Sequence, residues 1–100
     1  MQTLNIELQE GFQDDTVVVS VNGAEVMHRD HIKTRLQTGF AAATTATVPE
    51  GKAVIEVASS AASTTGQIEV EVLAPMWIGA SVDADRVLHF KISQTPFGYV

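Results

Sequence analysis

The sequence predicts an all-β fold, an immunoglobulin-like or transthyretin-like antiparallel β-sandwich of seven to eight strands. Short segments alternate apolar and polar residues with the two-residue period of a strand. Glycines separate these segments at close to the roughly 8–12-residue spacing of sandwiches, at Gly11, Gly23, Gly39, Gly51, Gly66, Gly79 and Gly98. The chain has 100 residues, of which 45% are hydrophobic. That suffices for one modest core, so we expect a single domain over residues 1–100.

The first predicted strand covers residues 3–9. Every second residue in its middle is apolar, so we expect one face to enter the core through Leu4, Ile6 and Leu8. A turn follows around Phe12, and its aromatic ring is expected to pack back on the core.

The next two predicted strands form a hairpin. Residues 16–21 contain three consecutive valines, and a strand that is apolar on both faces is typical of a central or covered position. Asn22-Gly23 then favours a type I′ turn, because both residues tolerate positive φ. Residues 24–27 return as the partner strand.

Residues 28–37 are compatible with a strand, a loop or a short helix. As a helix, the segment has Asp30 as its N-cap and Gly39 as its C-terminal stop. As a strand, it places four side chains on one face, namely Arg29, His31, Lys33 and Arg35. We favour the extended form, because a lone short helix is marginal without tertiary support.

Five more strands are predicted in the second half of the chain, over residues 40–48, 52–58, 67–73, 76–82 and 86–93. They are separated by a Pro49-Glu50-Gly51 turn, a Ser/Ala/Thr loop, Pro75 and an Asp-rich turn. Glu69 and Glu71 are expected to face outward. The residues expected in the central core are Ile68, Val70, Leu88 and Phe90, with Ile92 on the same inward face as the last two.

Composition limits the partners and the location. The formal net charge of −6 argues against a nucleic-acid partner, which calls for a basic face. No segment approaches the roughly 20 apolar residues of a membrane span, so no membrane partner is expected. The absence of cysteine excludes disulfides and thiolate metal sites. The first residues carry no targeting signal, so we expect a cytoplasmic location unless the chain is a module of a larger protein.

Two turn motifs carry a family resemblance. The segment Val19-Ser20-Val21-Asn22-Gly23 and the turn Val48-Pro49-Glu50-Gly51, which leads into Ile55-Glu56-Val57, resemble those of PEGA-like and transthyretin-like sandwich modules. The resemblance covers about residues 17–57. It implies a non-enzymatic accessory or ligand-presenting module and transfers no functional residue, because these modules share no fixed catalytic site.

No catalytic, metal-binding or cofactor-binding residue is assigned from the sequence, and no cofactor is expected. A strand would direct His28 and His31 to opposite faces, whereas a helix would bring them together. One alternative function is therefore a small metal- or anion-dependent enzyme that uses His28, His31 and Arg35. No serine lies in a G-x-S-x-G nucleophile elbow.

The function that the sequence favours is protein association, with another protein or with a second copy as a homodimer. Half of the six Lys and Arg residues fall within residues 29–35 of this acidic chain, where they can meet carboxylates. The same charges would also suit a solvated edge strand that discourages pairing. A further alternative is a carbohydrate-binding module that uses Trp77 and Tyr99. The candidate interaction surface is Arg29, His31, Lys33, Arg35, Trp77 and Tyr99.

Overall fold

The computed structural model describes residues 1–63 and 65–98. It confirms an all-β sandwich, in which two sheets of four strands pack together. None of the described residues forms a helix that could cross a membrane. The eight strands are β1 (Gln2–Leu8), β2 (Gln13–Val21), β3 (Ala24–Lys33), β4 (Ala42–Val48), β5 (Gly51–Ser59), β6 (Gly66–Val72), β7 (Met76–Val82) and β8 (Leu88–Ser93).

The strand order is β4-β1-β7-β8 in one sheet and β3-β2-β5-β6 in the other. The edges of the two sheets therefore meet in pairs, with β3 contacting β4 on one side and β6 contacting β8 on the other. One pairing departs from the predicted antiparallel arrangement, because β1 and β7 are parallel, with Leu4 opposite Met76. Parallel neighbours need a crossover connection, and here the chain passes through the opposite sheet before it returns.

In the central strands, the apolar side chains of the alternating pattern form the core, as predicted. Phe12 packs into it with 1% of its surface exposed. Other fully buried side chains come from both sheets, including Leu4, Ile6, Leu8, Val17, Val19, Ile55, Val57, Val72 and Ile78.

The predicted core is wrong at the sheet edges. Val70 is buried, but Ile68, Leu88 and Phe90 are only partly buried against the core. Ile92, which was expected to face inward, is 53% exposed. The reason is strand order, because β6 and β8 are edge strands with a neighbour on one side only.

The hairpin between β2 and β3 forms at the predicted turn. Asn22 and Gly23 have φ values of 51° and 82°, the two positive values that a type I′ turn requires. The Asn22 N–H donates to the Val54 carbonyl, and the Asn22 amide oxygen accepts from the Val54 N–H. The turn is therefore also attached to β5.

Residues 28–33 are extended, which excludes the helical alternative for that segment. Buried and exposed side chains nevertheless do not alternate regularly along β3. Met27 and Ile32 are both buried although they are five residues apart. His31 between them has a φ of 59°, and the pairing with β2 shifts at several points. A single residue with positive φ moves the side chains that follow it to the opposite face of the strand, as at a β-bulge.

Candidate functional site

The four predicted basic positions do not form one continuous face. Arg29, His31, Lys33 and Arg35 are all exposed, but the irregular backbone at His31 divides them. Arg29 lies opposite Val17 in the ladder, on the face of β3 that carries Met27. Lys33 and Arg35 belong to the end of the sandwich where β3 runs into its loop to β4.

His31 is engaged within the molecule. Its Nδ1 lies 2.8 Å from Asp14 Oδ1 on the neighbouring strand. Asp14 also has a positive φ, of 84°, so two irregular residues face each other across the β2–β3 pair. The hydrogen bond to Asp14, followed by the attraction of its charge, raises the pKa of His31 above its ordinary value of 6.5. The Nδ1 atom of His31 therefore links β3 to β2.

The neighbouring carboxylates also have structural partners. Asp30 Oδ1 accepts from the Thr16 hydroxyl at 2.8 Å. Asp15 Oδ1 accepts from the Ser60 hydroxyl at 2.8 Å, which connects β2 to the β5–β6 loop. Sequence reasoning missed these contacts, because each joins residues on different elements.

The end of β3 is clamped by Thr34, a buried residue that sequence reasoning did not single out. Its hydroxyl donates to the Gln9 carbonyl at 2.6 Å and accepts from the Phe12 N–H at 3.1 Å. Its own N–H donates to the Phe12 carbonyl at 2.9 Å. The β1–β2 and β3–β4 loops are therefore held together by one side chain.

A closed turn projects beyond this clamp. The Arg35 N–H donates to the Phe40 carbonyl at 2.9 Å, and the Gly39 N–H donates to the Arg35 carbonyl at 2.8 Å. Gly39 has a φ of 72°, which glycine adopts without strain. The turn displays Leu36 with 94% of its surface exposed.

We define the loop-36 surface as Lys33, Arg35, Leu36 and Gln37. In the described part of the chain, neither the Lys33 ammonium nor the Arg35 guanidinium takes part in an ion pair. By contrast, Lys52 lies 3.8 Å from Glu69, and Arg86 donates to the carbonyls of residues 60 and 61. The loop-36 surface therefore combines an apolar side chain with two cations free to meet an anion.

A cavity of about 700 Å³ adjoins the loop-36 surface. Its volume lies within the range of sites that hold small molecules or peptide side chains. It has the Phe12 region as one wall and Leu36 at its margin, and its lining residues are Glu10, Gly11, Phe12, Gln13, Asp14, Lys33, Thr34, Leu36 and Gly39.

The histidines are paired separately rather than gathered. His28 lies 3.8 Å from Glu25, and His89 Nε2 lies 2.6 Å from Asp83 Oδ2. The hydrogen bond to His89, then that from the Val87 N–H, holds the pKa of Asp83 below its ordinary value. In residues 1–63 and 65–98, no three histidine or carboxylate side chains converge as a metal site.

Trp77 is half-buried on the outer face of β7, opposite Asn5 and Ser93. Its neighbours Met76 and Ile78 occupy the buried face, which decides the orientation that the sequence left open. Phe97 lines a cavity beside Ser81, four positions and so about 13 Å along the strand from Trp77. Tyr99 lies outside the described residues.

The sequence matches no protein-family model and no curated protein. The resemblance of residues 17–57 to PEGA-like and transthyretin-like modules therefore stays a prediction.

Proposed function

We propose that this protein is a non-catalytic interaction module that binds an acidic segment of another protein through the loop-36 surface. The observation that carries the proposal is Leu36, which is 94% exposed in a closed turn and follows two cations that form no ion pair in the described part of the chain. A large apolar side chain gains most from being covered, at about 1.5–3 kcal/mol when fully buried.

The loop holds Leu36 ready for a partner. Two backbone hydrogen bonds close the turn, and Thr34 fixes its base. A preorganised loop loses little conformational entropy on binding, so more of the contact energy appears as affinity.

The chemistry of the flanking residues defines the partner. Arg35 and Lys33 present guanidinium and ammonium donors, and both pair with carboxylates. The chain as a whole carries a net charge of −6, and the two cations of the loop-36 surface give an acidic partner a local attraction at this end of the sandwich. Charge thus directs the partner to this end of the sandwich.

The test uses a displayed random-peptide library selected against the purified protein. We expect enriched peptides to combine an apolar residue with Asp or Glu, and their binding to weaken as salt rises. Leu36→Ser and Arg35→Glu should each reduce the affinity of an enriched peptide by at least about tenfold.

The matched control is Leu73→Ser, because Leu73 is 63% exposed in the loop after β6, at the opposite end of the sandwich. It should leave peptide affinity unchanged. Selected peptides without acidic bias, or affinities that survive both loop-36 substitutions, would refute the proposal.

Other parts of the interpretation stay predictions. These are the immunoglobulin-like or transthyretin-like subtype, the homodimer and the cytoplasmic location. No specific contact favours the metal- or anion-dependent enzyme or the carbohydrate-binding module, so neither is put forward as a second function.

A further inference from the structure

The edge strand β4 differs from the other three edges in charge. β3, β6 and β8 each carry ionisable side chains, whereas β4 reads Ala-Ala-Thr-Thr-Ala-Thr-Val. Edge strands ordinarily carry charges, prolines or bulges, which prevent another chain from adding a strand. β4 has none of these features.

The backbone of β4 is also regular. It pairs with β1 over all seven residues without a register shift. Among the described residues, the backbone groups of residues 43–48 form no hydrogen bond other than those of the β1 ladder. Its exposed side chains, Ala43, Thr45 and Thr47, are small and neutral. One side of β4 is therefore an open template for a further strand.

We propose that β4 pairs with β4 of a second copy, antiparallel about a two-fold axis at Thr45. The β4-β1-β7-β8 sheet of one copy and that of the second copy then become one sheet of eight strands. This interface is isologous and closed, so it stops at a dimer. It pairs through β4 and not through Leu36, so it does not depend on peptide binding, although Lys33 and Arg35 contribute charge to both proposals.

The side chains of β4 suit this pairing. With the axis at Thr45, each Ala43 faces Thr47 of the second copy, and each Thr44 faces Ala46. The two Thr45 side chains lie opposite each other, an arrangement in which threonine hydroxyls can hydrogen-bond across strands. No like charges oppose one another along the paired strands.

The charges of β3 support a second copy as the occupant. β3 contacts β4 from the opposite sheet, so a two-fold axis that reverses β4 also reverses β3. Glu25 lies near one end of β3, and Lys33 lies at the other, followed by Arg35. The acidic end of each β3 is therefore directed toward the basic end of its counterpart.

Sedimentation equilibrium tests the pairing. The wild-type protein should change with concentration from the 10.7 kDa monomer to twice that mass. Thr45→Lys and Thr45→Glu should each remain monomeric, because each places like charges opposite one another at the axis. An equimolar mixture of the two variants should recover the dimer mass, because opposite charges then meet.

The matched control is Gln67→Lys, at an exposed position of the edge strand β6, which should dimerise like the wild type. Leu36→Ser should dimerise as well, which separates this proposal from the peptide-binding site. A wild-type protein that stays monomeric up to about 1 mM would overturn the proposal. Single variants that still dimerise, or a mixture that does not, would overturn it equally.

Amide hydrogen exchange provides a test without substitutions. Amides of residues 43–48 that point away from β1 should exchange slowly at high protein concentration and faster on dilution. Exchange that is independent of concentration would overturn the proposal even if a Thr45 variant failed to fold.

Discussion

The strands β3 and β4 are edges on the same side of the sandwich, yet they are built in opposite ways. β3 carries charges of both signs, and its left-handed His31 is hydrogen-bonded to the left-handed Asp14 of β2. β4 carries no charge and follows its neighbour without a shift. Both strands expose backbone groups at an edge, but only β4 offers them in a regular, uncharged row.

An irregular backbone, like charge, can therefore prevent another strand from adding to the edge of a sheet. A strand that adds to an edge needs several hydrogen-bonding groups in regular succession. His31 and the register shifts interrupt that succession in β3. Arg29 and His31 therefore lie on a protected edge, whereas Lys33 is the last residue of β3 and Arg35 lies in the loop beyond it.

The largest expected effect concerns the anchor at the end of β3. Thr34→Val removes the bonds to Gln9 and Phe12 and leaves the buried Phe12 N–H without its partner. We expect a loss of about 1–3 kcal/mol in the free energy of unfolding, measured by urea denaturation. Thr34→Ser is the control and should lose less than about 1 kcal/mol, because it keeps the hydroxyl. Equal losses in both variants would show that packing, not hydrogen bonding, matters at this position.

A smaller effect concerns the titration of His31. Its pKa, followed by NMR, should lie above 6.5 and fall toward that value in Asp14→Asn. Pairing favours the protonated imidazole, so its contribution to stability is complete below the unfolded-state pKa. That contribution disappears as pH rises through the folded pKa. A His31 pKa unchanged by this substitution would contradict the pairing.

The smallest expected effect tests whether charge or an irregular backbone prevents another strand from adding to β3. The variant Arg29→Thr removes an exposed cation of β3 but keeps His31, its irregular backbone and the cations at the end of the strand. We expect its mass in sedimentation to match that of the wild type at each concentration. New species larger than a dimer would show that charge, rather than backbone geometry, protects this edge.

Local signals were enough to predict much of the fold. Asn22-Gly23 determines a turn by its own backbone preferences, and the alternation of Leu4, Ile6 and Leu8 needs no knowledge of neighbours. Strand order is different, because it depends on distant parts of the chain. Ile92 alternates like a core residue and is exposed because β8 lies at an edge.

The candidate site was predicted only in part. The cluster of positive charge pointed to the segment that contains the proposed loop-36 surface, and Lys33 and Arg35 are exposed there. His31 is instead engaged by Asp14, a residue on another strand. Leu36 resembled any apolar residue in the sequence, since its exposure follows from the turn closed by Arg35 and Phe40. The Thr34 clamp left no signal, because a lone threonine in a polar segment is common.

The position of β1 has a consequence for how the molecule folds. This strand lies between β4 and β7, and Leu4 pairs with Met76 in the parallel ladder. Its apolar face therefore cannot be fully enclosed until the chain through residue 80 is available. The entropy of closing that long loop must be overcome before the pairing stabilises anything, which slows folding. During synthesis Leu4, Ile6 and Leu8 emerge well before β7, which is one of the two strands that flank β1.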